Sequence, residues 1–263
     1  MTISGINKYM TFGLKPDWIE VLDAEQASFR QTKSIGSRMI PSAVTWFRES
    51  GLISSESNAI KTTSLLEVGR KRGFQDFFFW MLLWSRLANI SPLVKWYVCN
   101  AEIGKTYSQA NLLEILEQSV SSESVRRGAI QSLCNMLKYS PLGTNDPACV
   151  TLETKGSSVK SLTRQVVKID PLITLYTLYV MAEVSERSIF TIRQIIDSTF
   201  EQNIVSPIAI FGLSTDELKQ HCLGLSNAYP RFISCSFTLG LDEIRLFPKE
   251  VGRYDVLQLI LDR

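Results

Sequence analysis

Residues 34–54, SIGSRMIPSAVTWFRESGLIS, carry the decision about the fold. Gly36 offers a tight turn between two helices, and Gly51 is placed to close the following helix as a C-terminal cap. At about 100° per residue, Met39, Ile40, Ala43, Trp46 and Phe47 fall within an arc of about 120°, a stripe that seeks a core. Arg38, Pro41, Thr45 and Arg48 fall on the opposite side. That is where a helix docked in a major groove presents its contacts: a guanidinium matches guanine edges and phosphates, and threonine offers a hydroxyl and a methyl.

Working outward, Pro16 or Asp17 starts a first helix with Trp18, Ile19 and Leu22 at helical spacing, and a weaker helical signal lies at residues 30–33. Downstream, AIKTT (59–63) reads as a strand after the loop at 54–58. SLLEVGRKRG (64–73) reads as a helix capped by Ser64, with Glu67 completing a capping box. Helix, turn, helix, short wing and further helix is the order of a winged helix-turn-helix, predicted over residues 1–73; the competing reading is an ordinary helical core.

The segment after it, dense in aromatics from Phe77 to Trp84, predicts helices covered on both sides. A base-stacking platform would need exposed aromatics among frequent cations, whereas only Arg86 and Lys95 stand near this run. A second helix-turn-helix-like pair follows at 107–118 and 121–143, with Ser108 as a cap and Ala129, Ile130, Leu133, Met136 and Leu137 as the buried stripe. Arg127, Gln131, Asn135 and Lys138 are left outward. Residues 74–143 thus form a predicted helical domain. The polar stretch 140–161, rich in serine, glycine, proline and asparagine, reads as its boundary. Residues 162–263 predict three helices, the last opened by Ser214 and Glu217, then a β-hairpin of RFISCSFT and EIRLF around residues 239–242. These define a C-terminal winged-helix-like interaction module in a chain that is mainly α.

The charge is uneven along the chain. Residues 30–72 hold eight basic side chains against three acidic ones, a balance of +5; residues 171–263 hold eight against eleven, a balance of −3. A basic first part suits an anion and an acidic last part suits protein, although either could be solvated surface. The five cysteines form no C-x-x-C pair, which removes the usual zinc spacings and fits a reduced cytoplasm. No apolar run approaches the ~20 residues of a membrane span. Phosphate-loop, dinucleotide-binding and H-E-x-x-H motifs are missing. The single histidine, His221, has Cys222 as its chain neighbour, pointing about 100° away on a helix. Glu183, Glu186 and Asp197 could meet a metal but read as a solvated face. No cofactor and no catalytic residue is expected.

The strings IGSRMIPSAVTWFRESGLI, KTTSLLEVG, FFFWMLLWSRLA, SVRRGAIQSLCNMLKYS, SPIAIFGLSTDELKQHCLGLSNAYP and YDVLQLILD resemble a bacterial protein family. That family is encoded beside phosphoadenosine-phosphosulfate-reductase-like sulfurtransferases in DNA phosphorothioation and phage-defence loci. The resemblance spans most of the chain from Phe12 onward, and it rests on packing and turn residues. Where the family carries more basic residues on the first recognition-type helix, this chain has Pro41 and Val44. The resemblance implies a context, not a reaction: a protein that brings DNA and a modifying partner together.

The sequence therefore predicts a non-enzymatic, double-stranded-DNA-binding accessory or targeting subunit that works with a sulfurtransferase-like or nuclease-like protein, away from membranes, with a homodimer as one allowed assembly. Arg38, Thr45 and Arg48 would face the groove, with Ser37 and Ser42 assisting. Lys61 would reach phosphate from the wing, Arg70, Lys71 and Arg72 would extend the basic strip, and Arg127, Gln131 and Lys138 would supply a second contact. The alternative is a scaffold of the same system that never touches DNA.

Overall fold

A computed structural model describes residues 3–54, 59–197, 204–238 and 241–263. Residues 55–58 of the predicted loop, 198–202 of the second C-terminal helical pattern and 239–240 of the hairpin turn lie outside the described residues. The architecture is mainly helical with two small three-stranded antiparallel sheets.

The N-terminal part contains α1 (Pro16–Glu25), α2 (Ile40–Ser50) and α3 (Ser64–Arg72). Pro16 occupies the first turn of α1, and of the weak signal at 30–33 only Arg30 and Gln31 are helical, as the end of a 3-10 turn, Gln26–Gln31. Gly51 ends α2 at φ 80°, donating its N–H to the carbonyls of Arg48 and Phe47, as its position predicted. The cap of α3 is displaced by one residue from the expectation: Thr63, not Ser64, accepts the N–H of Leu65. The predicted strand 59–63 is reduced to a single bridge between Ile53 and Thr62. Ile53 and Ile60 are buried there, the Ser54 N–H donates to the carbonyl of Lys61 at 2.8 Å and the Thr63 N–H to that of Leu52 at 3.1 Å, and the described part of residues 1–73 contains no three-stranded sheet.

Both sheets lie further along the chain. After α4 (Phe77–Ile90) and α5 (Pro92–Asn100) come β1 (Thr106–Ser108), α6 (Gln109–Glu117), α7 (Glu123–Lys138), the short α8 (Pro141–Thr144) and the hairpin β2 (Val150–Lys155) and β3 (Ser158–Arg164). The strand order is β1-β3-β2. The stretch 140–161 is therefore no linker. Val150, Val159 and Leu162 are buried, their outward neighbours are polar, and Gly156 turns the hairpin at φ 60°. Its polar composition reflects a small sheet with one wet face.

The same order recurs in α9 (Pro171–Ser185), β4 (Ile189–Thr191), α10 (Ile192–Ile196), α11 (Pro207–Phe211), α12 (Thr215–Ala228), β5 (Ile233–Thr238) and β6 (Leu241–Leu246), with strand order β4-β6-β5. A last helix, α13 (Arg253–Leu261), packs back onto α3 and α9.

The aromatic run forms the core as expected: Phe79, Trp80, Met81, Leu82, Leu83 and Trp84 are all buried in α4. Asp76 caps α4 by accepting the N–H of Phe79 at 2.8 Å, and Ser91 caps α5 after a 92° bend. No single helix among the described residues is long and apolar enough to cross a membrane. Polar side chains join the helices inside this core. Thr177 donates to Ser85 at 2.8 Å, and Asn89 exchanges hydrogen bonds with both backbone groups of Val205, at 3.0 and 2.8 Å. Arg164, at 4% exposure, donates to the carbonyls of Val98, Ala101, Ala209 and Ile210. One guanidinium thereby satisfies acceptors at the C-terminal ends of α5 and α11, where helix dipoles favour a cation.

Candidate nucleic-acid interface

The site is built on α6, α7 and the β2–β3 hairpin. Ser108 opens α6 through a capping box with Asn111, which aims the helix away from β1. α7 buries Ala129, Ile130, Leu133, Met136 and Leu137, the predicted stripe. Adjacent arginines then divide the work. Arg126 is buried and donates to the carbonyls of Val120 and Ser121, at 2.8 and 2.7 Å, and to Glu117 at 2.9 Å, fixing the turn between the two helices. Arg127 points outward with a side chain 68% exposed.

Arg127, Gln131 and Lys138 share one face, since offsets of four and eleven residues bring a helix back to within about 40°. Arg127 touches Glu123 at 2.6 Å, an i,i+4 pair between two exposed groups, and the guanidinium holds that carboxyl below the usual range. Such a pair yields readily to a competing phosphate. Gln131 donates to Asn135 at 3.1 Å, and Lys138 donates to the carbonyl of Ser157 in the hairpin turn at 2.7 Å. Gln109 at the start of α6 donates to Val159 of the hairpin at 2.7 Å. Between these elements lies a cavity of about 470 Å³, lined by Ser108, Gln109, Gln131 and residues 157–160. Lys155 and Lys160 on the hairpin are exposed. One side of α7 is covered by the N-terminal segment, where Ser132 donates to Phe12 at 2.6 Å and Asn135 to Thr11 at 2.8 Å.

The residues predicted around α2 fare differently. Ser37 and Arg38 are exposed in the turn before the helix, and Thr45 and Arg48 are half-buried. Thr45 turns its hydroxyl back to the carbonyl of Pro41 at 3.0 Å. Ser42 is fully buried and donates to Tyr9 at 2.9 Å, so it cannot assist at a groove. Val44 is buried as well, which narrows the wet face of α2 to Pro41, Thr45 and Arg48. Glu49, which sequence reasoning left aside, is buried. It accepts from Tyr9 at 2.6 Å and pairs with Lys8, while burial pushes its carboxyl above the usual range. Lys61 is exposed beside the Ile53–Thr62 bridge.

At the end of α3, Arg70 pairs with Asp23, Lys71 donates to the carbonyl of Leu261, and Arg72 pairs with Asp76 at 2.9 Å while lying 4.2 Å over the ring of Phe78. The basic strip of the sequence thus binds α3 to its own neighbours.

Sequence reasoning missed Lys155 and Lys160 because it took their segment for a linker. The available signal was Val150 and Leu152 at period 2 before the turn residue Gly156, with Val159 and Leu162 after it at a spacing of three because the register shifts at a bulge.

The C-terminal counterpart of α7 is α12, whose exposed positions are Asp216, Glu217, Gln220, Leu223, Gly224, Asn227 and Ala228. Its cation Lys219 is paired with Asp242 at 3.0 Å. His221 is half-buried with Thr174 at 2.8 Å from Nδ1, and burial lowers its pKa. Burial pushes the thiols of Cys134 and Cys149 up to about 12, which keeps them protonated. Among the described residues no cluster of three histidine, cysteine, aspartate or glutamate side chains could hold a metal ion.

No family model matches the sequence, and no curated protein matches it either. The fold, however, is similar to solved structures of SspB. One, bound to magnesium ion, superimposes with a TM-score of 0.68 over 98% of this chain and 87% of that chain at 12% identity, and a second SspB structure gives the same values. At this identity the likeness is one of fold.

Proposed function

We propose that the protein is a non-enzymatic, double-stranded-DNA-binding accessory subunit of a bacterial DNA-modification system of the phosphorothioation type, or of a phage-defence system. The observation that carries this reading is a cavity lined by Gln131 of α7 and Lys160 of the hairpin, with Arg127 and Lys138 on the same face of α7 as Gln131, Lys138 tied to Ser157 of the cavity wall, and Lys155 exposed on the same hairpin. Strand, two helices and a hairpin is the order of a winged helix, with α7 as the recognition helix and β2–β3 as the wing. A guanidinium and a carboxamide on the helix can read base edges, and lysines on the wing can hold phosphates. Arg38 and Arg48, with Ser37, Thr45 and Lys61, then serve as a flanking contact. The likeness to SspB, a protein of the Ssp phosphorothioation system, supports the same cellular context as the sequence resemblance.

The second module shares the strand order but faces outward with acids, Leu223 and a glycine, which suits a protein partner such as a sulfurtransferase-like or nuclease-like subunit. If DNA never touches α7, that face would make the chain a scaffold of the same system. One of the SspB structures holds magnesium ion; among the described residues here no three histidine, cysteine, aspartate or glutamate side chains come together to hold a metal ion.

The test is a fluorescence-anisotropy titration of the full chain with labelled duplex and single-stranded oligonucleotides over a salt series. Duplex binding that weakens steeply with salt and exceeds single-strand binding is expected. A chain that ignores duplex at low salt yet forms a stable complex through its C-terminal module would replace this reading with the scaffold.

A further inference from the structure

A second cavity, of about 390 Å³, lies between α4, α9 and the start of α13. Its size falls in the range of small-ligand sites. Arg86 comes from the middle of α4 with only 5% exposure. Its Nε and Nη1 have no hydrogen-bond partner among the described residues, and Nη1 stands 3.7 Å from Glu183. Arg253, at the first position of α13, pairs with the same Glu183 and lies 4.5 Å over the ring of Tyr254. Gly51 makes room for this arrangement: a Cβ there would come within 2.6 Å of the Arg86 Cδ and Nε.

The electrostatics are unbalanced. Two guanidinium groups share one carboxylate, and that carboxylate is 46% exposed. A buried cation with unused donors is costly unless something completes it. The N-terminal end of α13 adds its positive dipole on the same side, with Gly252 as cap residue and its N–H held by Asp255 at 2.6 Å. Other polar groups of the wall are already used: Tyr179 donates its hydroxyl to Phe232 at 2.8 Å, and Arg253 donates to the Tyr254 hydroxyl at 2.7 Å. Tyr254 keeps 44% of its surface exposed at the mouth, an aromatic face beside two cations.

We propose that this cavity is a binding site for a phosphate-class oxyanion, held between Arg86 and Arg253 after it displaces Glu183. Planar guanidinium groups suit tetrahedral oxyanions, and Glu183 then acts as an internal competitor for the ligand. The site is separate from the α7 face and does not depend on DNA binding there.

Isothermal titration calorimetry of the full chain with inorganic phosphate, a nucleoside monophosphate and a 5′-phosphorylated trinucleotide tests it. Saturable binding of at least one of these is expected. Equal affinity for all three identifies a free-oxyanion site, whereas a gain of about tenfold for either nucleotide identifies the phosphate as part of a nucleotide. Glu183→Gln should tighten binding severalfold because the competitor is gone, and Arg253→Gln should weaken it by about tenfold or more. If Arg86→Gln does not fold, Arg253→Gln at the rim decides. Absence of saturable heat from all three ligands at millimolar concentration, or weaker binding by folded Glu183→Gln, would overturn the proposal, because a purely structural ion-pair cluster gives that pattern.

Discussion

Replacing Arg127, Lys155 and Lys160 together by alanine strips the outward cations from α7 and its hairpin and leaves Lys138, which the carbonyl of Ser157 holds in place. These three side chains are exposed, so the fold should change by no more than about 0.5 kcal/mol per site. If each of the four cations meets one phosphate, this face contributes about −3.6 to the slope of log K against log salt in the native chain and about −0.9 in the variant, a difference of about 2.7 whatever the flanking contact adds. Between 50 and 200 mM salt the native affinity should then fall about fortyfold more than the variant's. Anisotropy with one labelled duplex, read at five or more salt concentrations, gives both slopes directly. A variant that keeps the native slope would refute the assignment of the groove to α7, since counterion release depends on the number of phosphates neutralised and not on which contacts read sequence.

Arg38→Ala with Arg48→Ala should weaken duplex binding and flatten the slope by less than two units if α2 only flanks the duplex; a larger effect than the α7 variant, in the same titration, would move the groove to α2. Gly13→Ala should destabilise the protein by about 3 kcal/mol or more in urea unfolding, because the new Cβ would lie 2.0 Å from the backbone nitrogen of Met136 where the N-terminal segment crosses α7. Arg164→Leu should cost about 3 kcal/mol or more, since four buried carbonyls lose one donor group; a drop below 1 kcal/mol in the same assay would show that water or rearrangement replaces it. For His221, burial lowers the folded pKa, so the unfolded chain takes up its proton first as pH falls. Native stability should therefore be full above about pH 6.5 and decline below it until the folded imidazole protonates. His221→Asn should lack that component in chemical unfolding measured from pH 7.5 to 5.

What could be read in the sequence was local. The glycine stop of α2, the cap at Ser108, the capping box at Ser214, the stripe of α7 and the β5–β6 hairpin all depend on residues within one or two turns of each other. Hydrogen-bonding range and a period of 3.6 or 2 are written in the chain itself. The availability of a cation is a different matter. Arg70, Lys71 and Arg72 read as one basic strip, yet their partners are Asp23, the carbonyl of Leu261 and Asp76, two of them brought near only by folding.

The same holds for the wings. The alternation in residues 150–164 is weak because a β-bulge shifts the register at Glu153 and Thr154, so that the buried Val159 and Leu162 stand three residues apart, and its meaning appears only when β1 pairs with β3 across three intervening helices. Arg126 and Arg127 are chemically identical neighbours, and packing alone turns one inward to the carbonyls of Val120 and Ser121 and the other outward to solvent. Periodicity and caps therefore determined the elements and their buried faces. The tertiary structure decided which charges remain free, because the field at a side chain is set by whatever the fold carries to within a few ångströms of it.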